Sequence, residues 1–97
     1  MLENSLKRDL RRRAHHLKPV VLVGQQGLSA AVIAEIERAL YDHELIKIRF
    51  RGGGRDAFKQ AVAGLAEQLD AELITRIGGT AVLYRENPET AKHRSSQ

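Results

Sequence analysis

The stretch from Lys18 to Leu40 constrains the fold of this chain more than any other part of it. It begins with an apolar run rich in β-branched residues, continues through a Gly-Gln-Gln-Gly loop at 24–27, and ends in a helix-patterned segment. Such a run is typical of a strand, and glycine at both ends of a short loop is typical of a tight turn. The stretch therefore predicts a strand, a turn and a helix whose N-terminus is exposed at the turn.

The loop has the features of an anion-binding turn. Glycine accepts positive φ and carries no Cβ, so the amides of Gln25 to Leu28 can approach a ligand closely. The first amides of a helix have no intrahelical acceptor, and the helix dipole adds partial positive charge there. Ser29 is the expected N-cap, which places Leu28 and Ile33 at the positions of a hydrophobic staple. Strand-to-helix turns also use glycine for steric reasons alone, and the motif taken by itself favours that plainer interpretation.

Length and composition exclude several classes of protein. Ninety-seven residues, 42% of them apolar, suit one compact domain with a core of modest size. The absence of cysteine excludes disulfides, thiolate metal sites and a cysteine nucleophile. No apolar run approaches the ~20 residues that span a bilayer, and the N-terminal segment is too polar and arginine-rich for a signal peptide. A cytoplasmic protein is expected.

The excess positive charge of the chain, +4, comes entirely from residues 1–20, which contain six basic and two acidic side chains. In the same segment Leu2, Leu6, Leu10 and Ala14 recur every four residues, which predicts an amphipathic helix with its cations on the other faces. A basic patch attracts polyanions in a salt-sensitive manner. Because the run has one sign and precedes the glycine loop, nucleic acid is favoured over a merely solvated face, and a membrane-surface helix is a third alternative.

The segment 43–51 alternates between apolar and basic residues and predicts a strand. Its cations Lys47, Arg49 and Arg51 share one face, opposite to its isoleucines. That face either meets RNA phosphates or faces water, and the sequence favours neither alternative.

Three glycines at 52–54 follow this strand, between two arginines. They are interpreted as a flexible connection rather than a nucleotide cradle, because the dinucleotide spacing is lacking and no Gly-Lys-Ser/Thr ending occurs in the chain. A helix is predicted from Asp56, as its N-cap, to Leu69, and Gly64 within it suggests a close packing contact.

The C-terminal third predicts a hairpin, with strands at 71–77 and 80–85 joined by Gly78-Gly79, followed by a disordered tail at 86–97. The element order is helix, strand, helix, strand, helix, strand, strand. Two right-handed crossovers and a hairpin give a mixed four-stranded sheet with helices packed against it, a two-layer α/β domain covering residues 1–85. No catalytic triad, paired carboxylates or metal cluster stands out, so no enzyme, cofactor or metal is expected.

Several separated sequence blocks occur together in this chain. They are Ala14 to Val21, Val23-Gly24 with Gly27-Leu28-Ser29, Glu35-Ile36 with Ala39-Leu40, His43 to Lys47, and Gly78-Gly79 with Val82 to Arg85. Together they resemble the CRM domain and, more closely, the small stand-alone bacterial members of the YhbY family. The resemblance spans roughly Leu6 to Arg85, and several blocks in the right order are far more specific than the loop alone.

The resemblance implies an RNA-binding domain with a fold similar to the C-terminal domain of translation initiation factor three. It also implies a partner in the rRNA of the large ribosomal subunit precursor. The GxxG loop of the family corresponds to residues 24–27, and its closing motif corresponds to 78–85. Many members carry lysine or arginine inside the loop, where this chain has Gln25 and Gln26. Binding is therefore expected to depend on the backbone amides of the loop and on positive charge that the basic first helix provides beside it.

The expected function is that of a non-catalytic, monomeric RNA-binding protein that assists assembly of the large ribosomal subunit, without a membrane or small-molecule partner. One alternative is a protein-interaction module recruited to the ribosome through a protein partner, and another is a small nucleotide-dependent enzyme. The expected RNA contacts are Gly24, Gln25, Gln26, Gly27, Leu28, Ser29, Arg8, Arg11, Arg12, Lys18, Lys47, Arg49 and Arg85.

Overall fold

The computed structural model describes residues 3–89 of the chain. Its elements are α1 Asn4–Ala14, β1 Pro19–Val23, α2 Ala30–His43, β2 Leu45–Phe50, α3 Gly54–Gln68, β3 Glu72–Ile77 and β4 Thr80–Tyr84. The predicted element order is confirmed. Within residues 3–89, no helix is long and apolar enough to cross a membrane.

The four strands form one mixed sheet in the order β1-β2-β4-β3, which confirms the predicted fold class. β1 and β2 are parallel, with Val21 beside Ile48, and β4 is antiparallel to both of its neighbours. β1, β2 and β3 therefore run in the same direction. The loops that follow these three strands all lie at one end of the sheet.

The main core lies between one face of the sheet and helices α2 and α3. Its fully buried side chains include Ile36 and Leu40 from α2, Leu65 from α3, and Ile48 and Leu83 from the sheet. Alternation along the strands directs these sheet residues to one side. The helix predicted after the loop at 24–27 thus buries its apolar face against the sheet.

A second, smaller core lies under α1 on the opposite face of the sheet. Leu10 and Ala14, from the predicted apolar stripe, are fully buried there with Leu45, Ile74 and Val82. α1 thus adds a third layer to the two that the sequence predicts. The sequence of β4 contains an indication of this third layer. Val82 has apolar neighbours on both sides, and a continuous apolar run is typical of a strand that is covered on both faces.

Two helix boundaries differ from their predicted positions. The sequence predicts a second helix that ends at about Tyr41, but α2 continues to His43, and Glu44 ends it with a φ of 65° and an N–H donated to the Leu40 carbonyl. α3 begins at Gly54, preceded by Gly53 in the left-handed conformation, so Asp56 lies in the first turn and is not the N-cap. Glycine adopts positive φ without a Cβ clash, which lets the chain turn into α3 before Asp56 is reached.

The segment 86–89, which the sequence assigns to a disordered tail, contacts the end of α2 in the structure; residues 90–97 lie outside the described part. Asn87 is buried, and its side-chain amide donates to the Tyr41 carbonyl at 2.7 Å. Its backbone N–H donates to the Glu44 carboxylate at 2.8 Å. The Tyr41 hydroxyl donates to the Glu89 carboxylate, which raises the pKa of the tyrosine. The segment therefore caps the C-terminal end of α2, where helix carbonyls lack intrahelical partners.

Candidate nucleic-acid interface

The loop at 24–27 forms the tight turn that the sequence predicts. The Gly27 N–H donates to the Gly24 carbonyl at 3.0 Å, and the φ of Gly27 is 81°. Gly24 does not have positive φ, and a Cβ built on it would meet nothing within 4 Å among the described residues. The turn therefore requires glycine only at position 27. The missing side chain of Gly24 leaves space beside the backbone that an approaching ligand can use.

The N-terminus of α2 is capped and free of carboxylates. The Ser29 hydroxyl accepts the N–H of Val32 at 3.2 Å, which confirms the predicted N-cap. The first turn reads Ala-Ala-Val-Ile, so no acidic side chain competes for its positive end. Within residues 3–89, the amides of Gln25, Gln26 and Leu28 donate no backbone hydrogen bond. The loop thus offers uncharged donors next to a helix dipole, the arrangement that binds phosphate in other proteins.

Three glycine-rich loops lie together at one end of the sheet. The Arg51 N–H donates to the Val23 carbonyl at 2.9 Å, and the Phe50 N–H donates to the Gly79 carbonyl at 2.8 Å. A Cβ on Gly79 would lie 3.1 Å from the Phe50 carbonyl oxygen, so that position has little space for a side chain. We call the loops 24–27, 52–54 and 78–79 the glycine end of the sheet. The sequence by itself indicates three separate turns and does not show that these loops lie together.

The basic helix lies far from the glycine end, which corrects the prediction that its charge sits beside the loop. α1 packs over Leu45, at the start of β2, and Leu6 lies near Glu72 and Tyr84 at the same end of the sheet. Lys18 precedes β1 and Gly24 follows it, so the extended strand separates their Cα atoms by roughly 20 Å. The basic helix and the loop are close in sequence but distant in space, because the extended strand β1 lies between them.

The predicted cations of α1 and its following turn are Arg8, Arg11, Arg12 and Lys18, and all four are exposed. Arg12 also forms an ion pair with Asp9, with 2.6 Å between nitrogen and oxygen. These side chains form a basic surface at the α1 end of the sheet, and we call it the basic end.

Cations of β2 lie between the two ends. Lys47 and Arg49 are on the sheet face that carries α1, with Lys47 half-buried and Arg49 exposed beside Leu22 of β1. Arg51 follows the strand and borders the loop at 24–27. The structure therefore places Lys47, Arg49 and Arg51 in a line from the basic end to the glycine end. Arg51 and Arg55, which flank the three glycines, were left out of the predicted site although their spacing around 52–54 is visible in the sequence.

Arg85, which the sequence predicts among the RNA contacts, has a structural environment in the fold. Its guanidinium donates to the Leu69 carbonyl at 2.9 Å and to the Glu37 carboxylate at 3.1 Å, and the side chain is 23% exposed. It thus joins β4 to the end of α3 and to α2. Because Leu69 and Glu37 hold the guanidinium against the protein, we assign Arg85 a structural role and leave it out of the proposed interface.

Comparison with known proteins gives a consistent result. The model of the CRS1/YhbY (CRM) domain family matches residues 2–85. The chain is 40% identical to a Pseudomonas aeruginosa protein named as a probable RNA-binding protein, over 98% of this chain and 91% of that one. It is 36% identical to the Bacillus subtilis probable RNA-binding protein YqeI, over 92% of this chain and 93% of that one.

A solved structure supports the same assignment. The solution structure of a Staphylococcus aureus protein described as a candidate RNA-binding protein has a TM-score of 0.78 and 34% identity, covering 90% of this chain and 91% of that one. A family model that matches most of the chain, together with relatives matched over nearly their whole length, agrees with the resemblance carried by the sequence blocks. The chain therefore belongs to the CRS1/YhbY (CRM) domain family.

Proposed function

We propose that this chain is a non-catalytic RNA-binding protein that associates with the rRNA of the large ribosomal subunit precursor in the cytoplasm and assists its assembly. Family membership and the names of the relatives support RNA as the ligand. The ribosomal role rests on the family resemblance. The observation that carries the proposal is the exposed, carboxylate-free N-terminus of α2, to which a line of cations on β2 leads.

In the proposed mechanism the two ends of the sheet have different tasks. The amides of the loop at 24–27 hold one backbone phosphate, and the small volume of Gly24 allows the close approach. Arg49 and Arg51 neutralise the adjoining phosphates, while the basic end contacts a separate part of the RNA. Because roughly 20 Å separates the ends, the RNA must extend along β2 to contact both. Recognition is then dominated by phosphates and shape, which makes affinity salt-dependent.

The alternative is a protein-interaction module, and one observation favours it. Val20 and Leu22 are 47% and 49% exposed on β1, an outer strand of the sheet. An outer strand with apolar side chains is a common surface for protein contacts.

The decisive experiment measures binding of the purified chain to a large-subunit rRNA fragment over a salt series. Replacing Arg11 and Arg12 together by alanine should flatten the plot of log K against log salt by about 0.7 to 0.9 per lost phosphate contact. Gly24→Ala should weaken binding without changing the slope, because no charge is removed. Arg38→Ala is the matched control, since Arg38 is an exposed cation on α2 paired with Asp42.

Two results would contradict the proposal. One is that the parent chain binds the rRNA no better than an unrelated protein of the same net charge. The other is that its association with precursor particles survives nuclease digestion of the RNA, which would favour the protein-interaction module instead.

A further inference from the structure

A small cleft lies between the first two loops of the glycine end, and the proposed phosphate contact does not use it. Its volume is about 160 Å³. Phe50 and Phe58 line it and form an edge-to-face pair with ring centroids 5.2 Å apart and an interplanar angle of 75°. Both rings are half-buried. A cavity of roughly 150 Å³ is enough to hold a benzene-sized molecule, so the cleft has the capacity for one planar ring.

Small residues form much of the wall of the cleft. The helix wall comes from Ala57 and Ala61, which lie one turn apart on α3. The rims are the backbones of the loops at 24–27 and 52–54. A Cβ built on Gly52 would lie 3.4 Å from Cγ of Gln25, so a side chain at position 52 would close the gap between the two rims. An apolar cavity with peptide groups at its mouth suits a flat ligand that has polar atoms along its edge.

The charge around the cleft indicates that such a ligand carries an anion. Arg51 lines the cleft, and Arg55 lies on the other side of the phenylalanine pair. The same loop whose inner side forms the cleft presents Gln26 and Ser29 on its outer side, at the N-terminus of α2. One loop therefore has a ring-sized apolar cavity on one side and phosphate donors on the other. A nucleotide has both parts, a planar heterocycle and an attached phosphate.

We propose that the cleft receives one unpaired base of the RNA whose phosphate the loop at 24–27 holds. The inference rests on the proposed function and names its substrate class, because a base enters the cleft only where it is not stacked in a duplex. The chain thus recognises a single-stranded position in the RNA, with the base against Phe50 and Phe58 and the cations of Arg51 and Arg55 nearby. Unstacked bases on aromatic side chains are a common mode of RNA recognition.

The test fills the cleft while keeping the charge and the fold. Ala57→Leu places a larger apolar side chain in the cleft from an exposed position of α3. Ala63→Leu is the matched control, the same change at an exposed position of the same helix outside the cleft. Each protein is titrated with a short single-stranded RNA and with an abasic strand that has the same phosphates. Thermal melts by circular dichroism confirm that the variants fold.

The parent chain and Ala63→Leu should bind the base-containing strand more tightly than the abasic strand, by about 5- to 150-fold, the range for one stacked base. Ala57→Leu should bind the two strands equally, at the affinity that the parent has for the abasic strand. The effects of removing the base and of filling the cleft would then not add, which shows that the base binds in the cleft.

The contrary outcomes separate the two proposals. If the parent binds both strands equally, or if Ala57→Leu keeps the preference for bases, the cleft is not a base site although the chain binds RNA. If an aromatic peptide binds in the cleft and the bases of the RNA do not, the cleft is a protein-binding site and the base proposal is wrong. If the parent binds neither strand better than an unrelated protein of the same net charge, the RNA function and the cleft proposal are both wrong.

Discussion

The backbone N–H of Arg51 donates a hydrogen bond of 2.9 Å to the carbonyl of Val23, which joins the ends of two parallel strands just before their glycine loops. Gln25 and Gly52, which line the same cleft, lie directly beyond it. Loops joined in this way lose conformational freedom when the protein folds rather than when it binds a ligand. Ordering them therefore does not reduce the binding affinity. We infer that the glycine end is preorganised for its ligand.

The two glycines of the loop should differ in their effect on stability. Gly27→Ala should lower the free energy of unfolding by about 1 to 2 kcal/mol, because position 27 has a φ of 81° that disfavours a Cβ. Gly24→Ala should change it by less than about 1 kcal/mol, because that position has neither positive φ nor a nearby atom among the described residues. Urea unfolding of both variants measures the difference. Equal losses would contradict the assigned conformations.

Gly64→Ala should raise the free energy of unfolding by about 0.5 to 1 kcal/mol, because glycine inside a helix costs that much relative to alanine. The close packing contact suggested by the sequence is absent: within residues 3–89, a Cβ at position 64 would meet nothing within 4 Å. The exposed neighbour Ala63 provides the reverse control, since Ala63→Gly should lower stability by a similar amount. Chemical denaturation checks both, and a destabilised Gly64→Ala variant would refute this packing description.

Asn87→Ala should lower the free energy of unfolding by about 1 to 3 kcal/mol, because the variant leaves the Tyr41 carbonyl without its partly buried donor. Glu86→Ala, at the exposed neighbouring position, should change it by no more than about 0.5 kcal/mol. Thermal and urea unfolding compare the two variants. If both were equally stable, residues 86–89 would not hold the end of α2.

Arg85→Ala should affect stability and not the salt dependence of RNA binding. Loss of its hydrogen bonds to Leu69 and Glu37 should cost about 1 to 3 kcal/mol, since charged donors in partly buried positions contribute more than exposed ones. Arg38→Ala removes an exposed ion pair and should cost at most about 1 kcal/mol. Unfolding measurements test the predicted loss of stability, and the salt series tests whether the salt dependence of RNA binding is unchanged. A flatter salt slope for Arg85→Ala at full stability would return this residue to the interface.

The candidate site was predictable from sequence only in part. The turn at 24–27 and the Ser29 cap are set by neighbouring residues, so local pattern was enough to find them. The position of α1 over the sheet was not predictable, because it depends on which apolar surfaces pack together. Arg85 belongs to the closing motif at 78–85, and its hydrogen bonds to Glu37 and Leu69 are not visible in the sequence because both residues are distant along the chain.

The sequence by itself determined the elements of this protein and their order, because the period of apolar residues and the positions of glycine act over a few neighbours at a time. It also determined the family, through several blocks in the right order. Only the tertiary structure decided that α1 covers the face of the sheet opposite α2 and α3, and that the basic end lies a strand length from the loop. It alone brought Phe50 and Phe58 to a cleft between two loops. These relationships depend on which buried surfaces pack together. An apolar stripe in the sequence indicates that a face is buried, but it does not identify the element that covers this face.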